Sequence, residues 1–160
     1  MFVPLHVHSQ YSILDASASV KAIAAKAKAC EMPAVALTDH GNLFGAVDFY
    51  KACKGQGVKP IIGCEVYVAP KSRLEKKKER GERAAYHQTL LAKNDQGYHN
   101  LCELTSRGYL EGFYYFPRID LDLLKEYSSG IICLSGCMGS KLSQAILDDE
   151  TDERDRLIDW

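Results

Sequence analysis

Residues 34–42 read Ala34-Val35-Ala36-Leu37-Thr38-Asp39-His40-Gly41-Asn42, a short apolar run that passes directly into polar side chains. Four consecutive apolar residues after Pro33 are typical of a buried strand. In parallel α/β folds, functional groups collect where strands end and loops begin. The stretch therefore predicts a buried strand with a candidate site at its carboxyl end.

Two other apolar runs end in the same way. Residues 2–5 lead into His6-x-His8, and residues 61–64 lead into Glu65. Imidazole and carboxylate groups are the ligands that a hydrolytic metal site needs, so the three runs predict one shared site. An unpaired carboxylate would be costly to bury at position 65, and either a metal ion or a buried salt bridge would offset that cost.

The segments between these runs have helical patterns. Ser17 or Ser19 can cap a helix that ends before Pro33, and a second helix is predicted near residues 43–54, stopped by Gly55. The resulting order is βαβαβ, which predicts a right-handed parallel sheet.

After residue 85 the predicted order changes. The strand at 86–92 follows without a crossover helix, so we expect it to run antiparallel and to bring His87 close to Glu65. Further elements are predicted as a helix at 95–109, a short helix at 121–127, a strand at 131–134 that leads to Cys137, and helix over 140–160. Nothing in the sequence closes the sheet after Cys137, so we expect an α/β domain that is truncated at its C-terminal end.

Composition limits the class of protein. A chain of 160 residues with 46% hydrophobic content fits one domain or part of one, and a net charge of −1 gives no whole-chain attraction to nucleic acid. Six cysteines without a CxxC pair fit reduced thiols in the cytosol. Because the sequence has neither a long apolar span nor a signal peptide, we expect a cytoplasmic protein without membrane contact.

Each candidate residue has a structural alternative. His6 and His8 would share one face of a strand and could share a metal, although strand histidines are often simply hydrogen-bonded. Asp15 is more typical of a turn than of a ligand. Asp39 could orient a neighbouring imidazole, or it could only begin a turn.

Two segments have less specific patterns. The basic stretch 71–83 could touch a phosphate backbone, but its interleaved glutamates favour a solvated loop. The aromatic stretch 112–117 could offer stacking rings to a single strand, or it could cover the core. Arg118 follows it directly and is a candidate phosphate contact by position.

Several motifs together resemble a known family. They are His6-x-His8, Leu37-Thr-Asp-His-Gly-Asn-Leu-Phe-Gly45, Ile61-Ile-Gly-Cys-Glu65, His87, Tyr109-Leu-Glu-Gly-Phe-Tyr-Tyr115, Pro117-Arg-Ile-Asp120 and Leu134-Ser-Gly-Cys137. They resemble the polymerase and histidinol phosphatase (PHP) domain, in the form found at the amino terminus of bacterial replicative DNA polymerase III alpha subunits. The resemblance implies that residues 1–160 are the amino-terminal part of a distorted β/α barrel.

The resemblance also implies a ligand set. His6, His8 and a bridging Glu65 would serve one ion, Glu65 with His87 and Cys137 a second, and Asp15 with His40 a third. Two or three divalent ions are implied, and this donor set favours zinc or manganese, with magnesium possible. A late Asp-x-His motif of the family would fall after Trp160.

Three functions follow from the resemblance. The first is metal-dependent phosphodiester hydrolysis of the 3′–5′ exonuclease type within a DNA polymerase, although the fragment alone is expected to be inactive. Its implied partners are DNA, other polymerase subunits and a proofreading exonuclease subunit. The second is a non-catalytic binding module of the same polymerase, and the third is a free-standing phosphatase, which the motif from Tyr109 to Asp120 disfavours.

Overall fold

The structure, a computed structural model, describes residues 2–78 and 80–160. Its elements are α1 (Val20–Ala29), β1 (Ala34–Leu37), α2 (Ala46–Gln56), β2 (Lys59–Val68), β3 (Tyr86–Ala92), α3 (Asp95–Leu110), β4 (Arg118–Ile119), α4 (Leu121–Glu126), β5 (Ile131–Cys133), α5 (Lys141–Leu147) and α6 (Thr151–Asp159). The predicted mixed α/β class is confirmed.

The first helix begins where its sequence predicts. Ser19 is the N-cap of α1, and its Oγ accepts a hydrogen bond of 3.1 Å from Ala22 N. The apolar face of α1 packs with α2 over β1 and forms a first core, which includes Ile23, Val35 and Phe49. This packing fixes the end of β1, where the predicted site begins.

The N-terminal segment differs from the prediction. Residues 2–8 do not form a regular strand. They are nevertheless extended beside β1, because Ala36 N donates to Pro4 O at 3.0 Å and Thr38 N donates to Val7 O at 2.8 Å. Val7 packs against the first core. Because side chains alternate along an extended chain, His6 and His8, which flank Val7, point to the side opposite the first core.

Strand β2 is the centre of the sheet. Its first half runs parallel to β1, and its second half pairs antiparallel with β3 and parallel with β4. Strand β5 adds to β3 in antiparallel orientation. The predicted antiparallel strand is confirmed, whereas the two-residue β4 was not predicted, and the sheet is mixed rather than purely parallel.

A second core covers one face of the second half of β2. Cys64, Val66 and Val68 pack there with residues of α3 and α4 such as Leu104 and Leu124. Since side chains alternate along a strand, the residues between them, among them Glu65, face the opposite side of the sheet.

Helix α3 approaches the sheet closely. A Cβ placed on Gly97 would lie 1.9 Å from Gly130 O, so this helix position accepts only glycine without a backbone shift. Gly55 in α2 has open space around its Cα. The second core therefore depends on a close backbone contact at Gly97.

Arg118 anchors part of the basic loop. Its side chain is 2% exposed, and its guanidinium donates to the carbonyl oxygens of Gly112, Ala84, Arg73 and Glu75 at 2.7–3.3 Å. These donors are directed into the protein. The placement argues against the predicted phosphate contact and gives Arg118 a structural role.

Arg73 continues this anchoring. It lies 2.6 Å from Glu111 and 3.1 Å from Asp120, the N-cap of α4. Arg73 therefore packs this part of the loop against the body of the domain, whereas Lys76, Lys77 and Lys78 are exposed.

The predicted helix at 140–160 is divided in two. Asp149, with a φ of 57°, separates α5 from α6. Glu153 of α6 lies 2.7 Å from both Lys141 and Arg156. The hydrogen bond from Arg156 and the contact with Lys141 lower the pKa of Glu153 to about 2, although burial acts in the opposite direction.

Across the described residues, none of the helices has the length and apolar character needed to span a bilayer.

Candidate metal centre

Glu65 is the centre of the candidate site. It lies on β2, is 1% exposed, and faces away from the second core. The backbone places His40 directly beside it, because Glu65 N donates to Asp39 O at 3.1 Å and Gly41 N donates to Glu65 O at 2.9 Å. A parallel bridge thus extends the pairing of β1 and β2 past the end of β1.

Three imidazoles surround one carboxylate oxygen. Glu65 Oε2 lies 2.8 Å from His6 Nε2, 3.0 Å from His8 Nε2 and 3.3 Å from His40 Nδ1. These histidines come from the N-terminal segment and from the turn after β1. The hydrogen bonds between that segment and β1 therefore set the geometry of this half of the site.

The other carboxylate oxygen faces β3 and the loop after β5. Glu65 Oε1 lies 3.0 Å from His87 Nδ1 and 3.6 Å from Cys137 Sγ. His87 stands opposite Tyr67 in the antiparallel register, which puts it on the same face as Glu65. Gly139 N donates to Cys137 Sγ at 3.3 Å and fixes the thiol.

Asp15 meets the site at its outer side. Its carboxylate lies 2.5 Å from His40 Nε2, and its side chain is 58% exposed. His40 thus lies between Asp15 and Glu65, with one ring nitrogen directed at each. The seven side chains that the sequence suggested as ligands all lie in this one cluster.

In the described part of the chain, Asp39 makes no hydrogen bond to an imidazole. Its carboxylate accepts hydrogen bonds from Ser9 N at 2.6 Å, Ser9 Oγ at 2.8 Å and Ser12 Oγ at 2.6 Å. Ser12 Oγ in turn accepts from His40 N at 3.0 Å. Asp39 therefore holds the loop at 9–12 against the turn that bears His40, which differs from the predicted orientation of a ring.

The cluster changes the proton affinities of its members. Burial would raise the pKa of Glu65, but hydrogen bonds from His8, His87 and His6 outweigh it and lower the pKa well below the usual value. The hydrogen bond to Glu65 raises the pKa of His8 despite burial. Burial lowers the pKa of His40. At neutral pH, Glu65 is ionised and His40 is neutral, which is the form in which an imidazole ligates a metal.

The donor set fits metal ions. Two groups have ligand atoms within 4.8 Å of one another, namely His6, His8 and Glu65, and His40, Glu65 and His87. Among the described residues, the ion-pair partners of Glu65 are all histidines. His40 Nδ1 is buried 3.3 Å from Glu65 Oε2 without forming a well-aligned hydrogen bond there. A buried carboxylate that no described Lys or Arg pairs with, surrounded by imidazole nitrogens, is what a bound cation would satisfy.

Sequence reasoning missed two parts of the site. Ser9 and Ser12 gave no signal, because their role depends on a contact with Asp39 27 to 30 residues away. Tyr67 could have been found from strand alternation, since it is two residues after Glu65. Its ring lies 5.7 Å from His40 and 5.2 Å from His87. Burial and the charge of Glu65 raise its pKa to about 12.

Comparisons with known proteins agree with this geometry. The PHP domain family matches residues 4–160. A protein named DNA polymerase III subunit alpha from Chlamydia pneumoniae is 63% identical over 146 residues, which is 91% of this chain and 12% of that protein. The protein of the same name from Chlamydia muridarum is 62% identical over 149 residues, 93% of this chain and 12% of that protein.

The structural comparison is weaker. An amidohydrolase from Chromobacterium violaceum is similar with a TM-score of 0.49 and 24% identity, over 68% of this chain and 34% of that one. The chain spans about 12% of the length of the two Chlamydia relatives.

Proposed function

Because the chain belongs to the PHP domain family, we propose that it is the amino-terminal part of the PHP domain of a replicative DNA polymerase III alpha subunit and holds a metal-dependent phosphodiesterase site. Relatives at 62–63% identity carry that polymerase name, which supports the polymerase assignment over a free-standing phosphatase.

One observation carries the hydrolytic part of the proposal. A carboxylate that is 1% exposed has four imidazole nitrogens within 3.3 Å and a thiol at 3.6 Å. These groups come from segments far apart in the sequence. A hydrogen-bonded core carboxylate needs fewer partners, whereas a carboxylate that bridges two ions would have further ligands of those ions beside each of its oxygens.

The ligands divide into sets. His6, His8 and Glu65 would hold one ion, Glu65 with His87 and Cys137 a second, and Asp15 with His40 a third. Imidazole and thiolate donors favour zinc or manganese over magnesium. Divalent ions bound here would activate water and neutralise charge on the attacking and leaving oxygens.

The protein itself positions the ligands and supplies a hydrogen-bond donor. Asp39 fixes the loop at 9–12 and the turn of His40 through Ser9 and Ser12, so the ligands are positioned before an ion binds. Tyr67 keeps its proton at neutral pH, because burial raises its pKa to about 12, and its ring contacts His40 and His87. Its hydroxyl is therefore a neutral hydrogen-bond donor beside the centre.

The substrate of the proposal is DNA, and the reaction is removal of a nucleotide from a 3′ end. The partners are the other subunits of the replicative polymerase, including a proofreading exonuclease subunit, and the compartment is the cytoplasm. Isolated residues 1–160 are proposed to be inactive, because the family's late Asp-x-His ligands would come after Trp160.

The test compares metal content and 3′-end hydrolysis of a single-stranded oligonucleotide in the full-length protein. His8→Ala and Glu65→Ala should lose bound metal and at least about 100-fold of the hydrolysis, because they remove ligands directly. His99→Ala, which removes an exposed histidine of α3, is the matched control and should behave as the wild type.

Two results would contradict the hydrolytic proposal. One is a wild-type protein without bound divalent ions, and the other is hydrolysis that is equal in all four proteins. Either result would favour the non-catalytic module, in which the cluster around Glu65 only joins chain segments.

A further inference from the structure

A series of stacked rings leads from the candidate metal centre to the surface. His8 and His40 stack at 4.2 Å with an interplanar angle of 19°, and His40 and Tyr67 follow at 5.7 Å and 19°. Phe116 stacks on Tyr67 at 4.6 Å and 21°. We call these four rings the ring ladder. Its inner members, His8 and His40, lie 3.0 and 3.3 Å from Glu65 Oε2. Its outer member, Phe116, is 39% exposed.

The segment that bears Phe116 is held in place from both sides. A Cβ on Gly41, the residue after His40, would lie 2.8 Å from Pro117 Cγ, so this segment rests directly on the turn of the metal centre. Arg118 lies over the ring of Tyr114 at 4.9 Å. The aromatic residues are thus fixed next to the site.

These rings do not serve mainly to cover the core. Phe113 is 53% exposed and Tyr115 is 65% exposed, and Tyr115 has a φ of 61°, which is uncommon for a residue with a bulky side chain. A fixed loop that turns apolar rings toward solvent indicates a binding surface.

Positive charge lies beside this loop. Arg118 donates to the carbonyl oxygens of Arg73 and Glu75, and Lys76 Nζ donates to Glu111 O. These contacts bring the exposed Lys76 to Glu111, the residue before the aromatic segment. Exposed rings next to exposed cations are typical of sites that stack the bases of a single strand and attract its backbone.

We propose that Phe116 is the outer stacking step for the base next to the scissile phosphodiester of a single-stranded nucleic acid. The inference rests on the proposed function, since it places the phosphate at the cluster around Glu65. The ring ladder ends in a partly exposed phenylalanine ring, and a base is the planar group that a nucleic acid would offer to it. The site thereby distinguishes a nucleotide end from a small phosphate ester that lacks a ring.

The experiment uses the full-length protein and a short single-stranded oligonucleotide with 5-iodouracil at its 3′ end. Irradiation cross-links this base to an aromatic side chain stacked on it, and mass spectrometry maps the position. We expect cross-links within residues 113–116, and about a tenfold lower yield in Phe116→Ser. Phe116→Trp should restore the yield. Tyr50→Ser, which removes an exposed ring of α2 outside this loop, should keep it.

A binding measurement on the same proteins gives a second readout. Wild type should bind an oligonucleotide with a 3′-terminal base about tenfold more tightly than one with an abasic 3′ end, and Phe116→Ser should lose this difference. Cross-links outside 113–116, or an unchanged yield in Phe116→Ser, would overturn the stacking site. Cross-links at 113–116 without any hydrolysis by the wild type would contradict the proposed function and leave the stacking site in place.

Discussion

Replacement of Arg118 by methionine tests whether this residue is an anchor or a phosphate contact. Methionine keeps the apolar stem but removes a buried guanidinium that donates to Gly112, Ala84, Arg73 and Glu75. A hydrogen bond to a charged group contributes about 1.5–3 kcal/mol, but these four are not additive, because one group makes them all. We expect the free energy of unfolding to fall by about 3–5 kcal/mol, because the substitution leaves four carbonyl oxygens without this donor.

The measurement is amide hydrogen exchange of the full-length protein. Loss of the anchor should let segment 71–78 and the aromatic segment 112–117 open locally, and their protection should fall by about 100-fold or more. Arg118→Lys should recover only part of it, since one ammonium cannot reach four carbonyl oxygens in a planar fork. Arg154→Met, which removes a half-buried arginine of α6 whose ion pair is with the adjacent Asp155, is the control.

A phosphate contact would give the opposite result. Arg118→Met would then keep wild-type protection in both segments, within about fivefold, and would bind oligonucleotides more weakly. That outcome would refute the structural role of Arg118.

Three other predictions follow from the structure. Cys137→Ser should weaken zinc binding by about tenfold or more and manganese binding less, because a thiolate is the softer donor. The control Cys30→Ser should change the affinity for neither metal. Equal effects of Cys137→Ser on both metals would contradict the thiolate ligand. The pKa of Glu153 is lowered from 4.5 to about 2, so its ionised carboxylate should stabilise the fold above pH 4.5 and lose this contribution as the pH falls through about 2. Glu153→Gln should therefore make the stability less dependent on pH in this acidic range, as measured by circular dichroism. Gly97→Ala should destabilise the fold by several kcal/mol, because the added Cβ would collide with the carbonyl oxygen of Gly130. Gly55→Ala, where the space is open, should stabilise the fold by roughly 0.5–1 kcal/mol. The thermal unfolding temperatures of the two variants should shift in opposite directions.

The sequence was informative where a structural feature depends on neighbours in the chain. The N-cap bond of Ser19 spans three residues, so the start of α1 could be predicted. The convergence of His40 and Glu65 was also predictable, because two adjacent parallel strands end at the same edge of a sheet. An antiparallel β3 followed from the lack of a crossover helix, and it placed His87 near Glu65.

Other features depend on burial that only the whole fold decides. Arg118 follows an aromatic segment, and nothing local says whether it is exposed or covered by Arg73, Glu75 and Ala84. Cys133 lies in an apolar run that predicts a core position, yet the residue is exposed. Its strand, β5, pairs with β3 alone among the described strands, so this end of the sheet has less cover. The role of Asp39 likewise required the positions of Ser9 and Ser12.

The distances along the chain between the groups at Glu65 bear on how the protein is made. His6 is 59 residues before Glu65, and Cys137 is 72 residues after it. During synthesis the amino-terminal histidines emerge first and the thiol last. A nascent chain shorter than 137 residues therefore brings together only part of this cluster, and Cys137 can reach Glu65 only after β5 has left the ribosome.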